Sequence, residues 1–196
     1  TYRKLGIAKT TYEPGFNEVK RVLGNLSGKK CLDFGSGTGR TSQLLLSMGA
    51  TYVVGVDHNE SMIEQAKKLK NPKLKFVQIE KTIPDESNTY DIALCTHVFV
   101  EISSLNEMEQ ISKEIYRVLK PKGIFVIVTN NSSAIGCNYL SFKYKPNPNL
   151  KSGDKISCLI KGENSFEIDD YYWTENDYEK VLSKVGFNIT SMTFPI

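Results

Sequence analysis

The chain has 196 residues, with 25 basic and 22 acidic side chains and a net charge of +3. That length suits one domain with a sizeable core, and the near balance of charge gives no footing for a nucleic-acid or anionic-membrane partner. No apolar run is long enough to span a bilayer and no signal peptide is visible. Cys31, Cys95, Cys137 and Cys158 are widely separated, with no Cys-x-x-Cys pair or histidine cluster, so a reduced, cytoplasmic protein without a metal centre is expected. The chain opens on Thr1 rather than methionine, and a trimmed N-terminus is expected.

In chain order, helix-like and strand-like segments alternate. "PGFNEVKRVLGNL" sets Phe16, Val19, Val22, Leu23 and Leu26 on one helical face, with Gly28 as its stop. "KKCLDF" reads as a short strand, "TGRTSQLLLSMG" as a helix ending at Gly49, "YVVGVD" as an apolar strand and "ESMIEQAKKLK" as a helix. "LKFVQI" and "YDIALCT" are further strands. "LNEMEQISKEIYRVLK" stacks Leu105, Met108, Ile111, Ile115 and Leu119 on one stripe, and "PKG" turns into "GIFVIVT", a fifth strand. Apolar strands alternating with helices predict an α/β fold, doubly wound about a mostly parallel sheet covered on both faces. From Asn130 to Trp173 the alternation breaks. "KISCLIKG" and "SFEIDDYYW" predict a hairpin about "GEN". "TENDYEKVLSKVGF" predicts a helix with Thr174 as N-cap, Asp177 three residues on and Gly186 as stop, and "FNITSMTFPI" a last strand. The expectation is a single domain over 1–196, with a core of about 14–129 and 174–196 and a hairpin insertion over 130–173 after the fifth strand.

Gly35, Gly37 and Gly39 stand at alternate positions between the first strand and the next helix. A loop without Cβ atoms lets a ligand approach the main chain, and the helix behind it offers free N–H groups. A tight turn alone needs only one glycine. A dinucleotide fingerprint, G-x-G-x-x-G, needs a glycine where Arg40 stands. The spacing G-x-G-x-G after Asp33 favours a smaller nucleoside ligand. Asp57, closing "YVVGVD", can accept both hydroxyls of a ribose, as acids do in nicotinamide enzymes too.

"CLDFGSGTGR", "VVGVDHNESMIEQAK", "YDIALCTHVFVEI" and "EIYRVLKPKGIFVIV", in this order and at these intervals, resemble the successive motifs of class I S-adenosylmethionine-dependent methyltransferases, over roughly Gly28 to Thr129. "RVLKPKGIFVI" is characteristic of the branch that methylates small molecules. The resemblance implies a Rossmann-like methyltransferase fold, S-adenosylmethionine as cofactor and S-adenosylhomocysteine as product. It implies Asp33, Gly35, Ser36 and Gly37 around the methionine part, Gly39 as a close-packing position, Asp57 at the ribose, and His58 and Met62 beside the adenine. Glu80 and Lys81 in "IEKTIP" fall near the third motif, one residue short of its commonest register. Cys95, Thr96 and His97 would line the transfer site.

The expected reaction is direct displacement onto N or O of a small molecule, with the protein supplying alignment. His97 is either a base near neutral pH or a structural histidine at the rim, and Glu101 either a substrate contact or a surface acid. In the resembling family, segments inserted after the fifth strand often cover the acceptor. Here "DDYYWT" gathers Asp169, Asp170, Tyr171, Tyr172 and Trp173, which suit an amine or cation, equally a phenol, or else pack the hairpin. Tyr171 and Tyr172 are catalytic candidates; Trp173, Asn130 and, more weakly, Asn131 are acceptor contacts; Tyr2 and Tyr12 are candidate cofactor-capping aromatics. Nucleic acid is disfavoured: "CTHV" stands where methylases of base amines carry N/D-P-P-Y/F/W, and "FKYKP", with Lys143 and Lys145, reads as solvated loop. The family sheet has seven strands. Either a seventh lies beyond Ile196, or the inserted strands complete the sheet. A nicotinamide-dependent oxidoreductase and a catalytically silent binding subunit are the competing readings, and the chain is expected to be a monomer or homodimer.

Overall fold

The computed structural model describes residues 12–131, 135–162 and 165–194. Helix α1 (Glu13–Leu23) precedes strand β1 (Lys30–Phe34), followed by α2 (Arg40–Ser47), β2 (Tyr52–Asp57), α3 (Glu60–Lys67), β3 (Leu74–Gln78), β4 (Tyr90–Thr96), α4 (Leu105–Val118) and β5 (Leu119–Val128). These five strands form one parallel sheet in the order β3-β2-β1-β4-β5. The predicted doubly wound α/β architecture is the one observed. Period-two alternation sends Leu32, Phe34, Val54, Val56, Ala93 and Cys95 to one face, under α4, and Cys31, Val53, Ile92 and Leu94 to the other, under α1 and α2. Both faces are covered, which is why these strands read as unbroken apolar runs.

Strand order reverses between β1 and β4, so a crevice opens beyond their carboxyl ends. The register aligns Phe34 with Cys95, Asp57 with Gln78, and Thr96 with Val128 along that edge.

The insertion forms a second sheet of three antiparallel strands: β6 (Phe142–Tyr144), β7 (Lys155–Ile160) and β8 (Phe166–Tyr171), in the order β6-β7-β8. The predicted hairpin is its β7–β8 pair. The third strand corrects the reading of "FKYKP" as solvated loop. Tyr144 is 1% exposed and packs on Ile156, Cys158 and Ile160, while Lys143 and Lys145 face water. The second sheet is stitched to the turn after β4: Tyr171 N–H donates to the Val100 carbonyl at 2.5 Å, and Trp173 Nε1 to the Ile102 carbonyl at 3.0 Å.

Helix α5 (Glu175–Val185) starts on a capping box. The Thr174 hydroxyl accepts from Asp177 N–H, Asp177 Oδ2 accepts from Thr174 N–H, and Gly186 closes the helix in the left-handed conformation. Two expectations fail. Residues 187–194 form no strand: Phe187 tucks its ring against Tyr116 and Phe125, and the chain beyond runs along the surface without a ladder partner. Helix α1 stops at Gly24, whose φ is 60°, rather than at Gly28, which leaves Leu26 buried outside the helix and Val22 40% exposed. Among the described residues, no helix is long and apolar enough to cross a membrane.

Replacing Thr174 by alanine removes the cap hydroxyl but leaves the buried face of α5 intact. Chemical denaturation is expected to show a loss of about 1 kcal/mol.

Candidate cofactor and acceptor site

The glycine loop hangs between β1 and α2, and Asp33 fixes its two ends. The Asp33 carboxylate is fully buried and accepts from Thr41 Oγ1 at 2.8 Å and Ser42 Oγ at 2.6 Å, both in the first turn of α2. Burial pushes its carboxyl up to about 6, against the lowering effect of those hydroxyls. The N–H groups of Gly35 and Ser36 donate to the Val56 carbonyl at 2.8 and 3.0 Å, tying the loop to the end of β2.

The three glycines do different work. A Cβ on Gly35 would lie 2.1 Å from Val98 Cγ2, and one on Gly39 2.7 Å from the Phe76 ring; at Gly37 nothing lies within 4 Å. Gly35 and Gly39 are therefore required by packing. Gly37 alone faces open space. Its N–H donates to Asp57 Oδ2 at 2.8 Å, and Asn59 N–H donates to Asp57 Oδ1 at 2.9 Å. Each Asp57 oxygen thus keeps acceptor capacity beside an open stretch of backbone.

The other predicted cofactor residues lie along this edge. His58 is exposed, with its ring 3.7 Å from Asp57. Met62 is half-buried in the first turn of α3, which Asn59 caps, and Glu80 and Lys81 are exposed just past β3. Ser36 is buried, and its hydroxyl has no partner among the described residues. Thr96 is half-buried at the end of β4. Cys95 departs from expectation: it points into the core with Phe34 and Ala93, and burial pushes its thiol up, so it serves as packing.

On the acceptor side, His97 follows β4 in a left-handed conformation with φ 56°, held there by its N–H bond to the Val128 carbonyl at 2.8 Å. Its ring meets the Tyr12 ring edge-on, with centroids 5.3 Å apart, and hydrogen-bonds the Asn130 side chain. Burial pushes His97 down to about 4, with Arg40 adding to the effect. It is therefore neutral at ordinary pH and only a weak base, which favours the structural reading of this histidine over a base poised near 7.

Asn130 Nδ2 continues the chain of contacts to Asp170 Oδ2 at 3.0 Å and to the Tyr144 hydroxyl. Glu101 lies in the turn after β4, its carboxyl raised by partial burial and by Asp170, against a lowering effect of His58, with Asp57 raising it further. Tyr171 is half-buried at the end of β8. Tyr172 and Trp173 are not gathered here. Tyr172 packs on the core of the second sheet, and Trp173 packs on the main core with its indole N–H committed to Ile102. Tyr2 lies outside the described residues. Tyr144 and Val98 escaped the sequence reading; the alternation Phe142-Lys143-Tyr144 is the signal that marks the first.

A doubly wound sheet with an open glycine cradle beside an acid at the next strand end defines a nucleoside-binding protein of the Rossmann-like kind. Residues 32–127 match a family model described as a methyltransferase domain. The chain is 22% identical over 162 residues to N-demethylindolmycin N-methyltransferase of Streptomyces griseus, covering 80% of this chain and 68% of that protein. It is 32% identical over 111 residues to a sterol 24-C-methyltransferase of Aspergillus fumigatus, covering 53% of this chain but only 28% of that one. An S-adenosylmethionine-dependent methyltransferase structure from Mesorhizobium loti superimposes with a TM-score of 0.68 at 16% identity, over 95% of this chain and 85% of that one, a likeness of fold. Residues 32–127 are thus a methyltransferase domain of the class I, S-adenosylmethionine-dependent kind, which takes its methyl group from that cofactor.

Two outcomes follow from this geometry. Gly37→Ala meets no neighbour, so its stability cost is the left-handed backbone penalty of about 1–2 kcal/mol; it should still weaken S-adenosylhomocysteine binding at least ~10-fold by calorimetry, because its methyl occupies the cradle. For His97, a depressed folded pKa means the unfolded chain binds the extra proton, so its contribution to stability is present above about 6.5 and lost as pH falls toward 4. His97→Asn, which tolerates the left-handed backbone, should flatten that fall in denaturation curves by up to about 3 kcal/mol relative to wild type.

Proposed function

We propose that this chain methylates a nitrogen or oxygen of a small molecule held beyond the carboxyl ends of β4 and β5, beneath the three-stranded sheet. The observation that supports it most is the pairing of the open cradle at Gly37 with the Asp57 carboxylate, which suits a ribose-bearing cofactor across the crevice from the acceptor side. When bound, S-adenosylmethionine supplies an electrophilic methyl group on sulfur. The chain's own part is alignment. Asp57 takes the ribose hydroxyls, Gly35 to Gly39 bring backbone against the ligand, and Met62 and His58 border the base. Neutral His97 holds Asn130 in place at the acceptor. Tyr12, edge-on to His97, screens the crevice from water.

The partial likeness to a sterol carbon methyltransferase supports carbon as the alternative acceptor atom. We place the protein in the cytoplasm as a monomer or homodimer without a nucleic-acid substrate; Cys31, Cys95 and Cys158 are buried thiols outside any disulfide.

Isothermal titration with S-adenosylhomocysteine, with NADH as control, tests this reading. Binding of the first alone is expected, with Asp57→Ala weakening it at least ~10-fold through the loss of two charge-assisted hydrogen bonds. Binding of NADH instead would establish the oxidoreductase reading; binding of neither would put the silent-subunit reading first.

A further inference from the structure

Strand alternation separates the two acids of "DDYYWT". Asp169 faces solvent and pairs with Lys155 at 2.8 Å. Asp170 faces inward and is 3% exposed. Its Oδ2 is well served, accepting from the Tyr144 hydroxyl at 2.7 Å and from Asn130 Nδ2 at 3.0 Å. Its Oδ1 is buried and accepts from nothing among the described residues. A buried acceptor without a donor costs roughly 1–3 kcal/mol, and more when charged, so such atoms are few. A proton on Oδ1 is no remedy, because it would be a donor without an acceptor. Among the described residues, no lysine or arginine forms an ion pair with Asp170 or with its neighbour Glu101.

The position of Asp170 in the fold limits what can serve this oxygen. Asn130 lies just past β5, and the bond from Tyr171 N–H to Val100 pins the end of β8 against the turn after β4. Asp170 therefore belongs to the β4–β5 side of the switch point, across the crevice from the glycine cradle on β1 and β2. Glu101 feels both Asp170 and Asp57, with His58 acting against them, so acidic groups stand on both sides of the crevice. A hydroxyl could donate to Oδ1 but would leave that charge uncompensated, and a phenolate would be repelled. An ammonium supplies both the hydrogen bond and the charge.

We propose that Asp170 Oδ1 anchors a protonated amine of the acceptor, which makes the substrate class small aminated molecules; this rests on the methyltransferase reading above. Asp170 is then a specificity-determining residue that nothing in the glycine-loop motifs encodes.

The test is calorimetric titration, at saturating S-adenosylhomocysteine, with matched probes: benzylamine against benzyl alcohol, and 2-phenylethylamine against 2-phenylethanol. Each amine is expected to bind at least ~10-fold more tightly than its alcohol. Asp170→Asn should erase the difference while leaving S-adenosylhomocysteine affinity within about 2-fold. Equal binding of amines and alcohols to the wild-type protein, or no binding of either, overturns the proposal without recourse to the variant. So does an amine preference that survives Asp170→Asn. If the variant weakens S-adenosylmethionine but not S-adenosylhomocysteine, the carboxylate serves the sulfonium and the anchor assignment falls. If the wild-type protein fails to bind S-adenosylhomocysteine at all, it is the methyltransferase reading that has failed, and the anchor falls with it.

Discussion

The Asp33 carboxylate, sealed beneath the first turn of α2, is the constraint on which the rest of the site depends. Removing a carboxylate from water costs several kcal/mol, and here the hydroxyls of Thr41 and Ser42 and the backbone N–H of Ser42 offset it. Both donors belong to the helix, so α2 must start where they can reach back to β1. That leaves the chain no room between strand and helix except through backbone that turns left-handed at Gly35, Gly37 and Gly39. The loop is consequently narrow, its first N–H groups close on Val56, and the N–H of Gly37 faces Asp57. An apolar residue at position 33 would pack into the same core, but nothing would then fix where α2 begins.

Much of this was legible in the sequence because it is local. Each parallel strand carries its own apolar run, the capping box at Thr174 is encoded within four residues, and Asp57 falls at a strand end that the hydrophobic pattern marks directly. What escaped the sequence depends on partners far along the chain. Trp173 looked like a substrate contact because nothing nearby in sequence reveals that the Ile102 carbonyl will claim its indole. His97 looked like a base because what lowers its pKa is burial against groups distant in sequence, such as Tyr12, with the charge of Arg40 adding to it. Tyr144 was lost among lysines and prolines, although the residues on either side of it alternate in the way a strand requires. The segment after Gly186 alternates too, but alternation yields a strand only where a neighbouring edge accepts it.

The two halves of the site are thus built by different means. On the cofactor side, short-range hydrogen bonds within a strand–loop–helix unit set the geometry. On the acceptor side, the Asn130–Asp170–Tyr144 network joins the main sheet to a separate antiparallel one. The first depends on a compact motif; the second depends on how two sheets meet. The methyltransferase-domain model matches residues 32–127, which include the cofactor half and stop short of every member of that network.

Val98 joins the halves. Its side chain occupies the space that a methyl group on Gly35 would need, so the floor of the glycine loop and the turn that carries His97 share one wall. Position 98 therefore acts as a gauge for the crevice. A bulkier residue there presses on the loop backbone at Gly35, and a smaller one loosens the contact between the loop and the turn after β4. Under the proposed function, remodelling this chain toward a larger acceptor falls to the second sheet, because Val98 is committed to the glycine loop at Gly35.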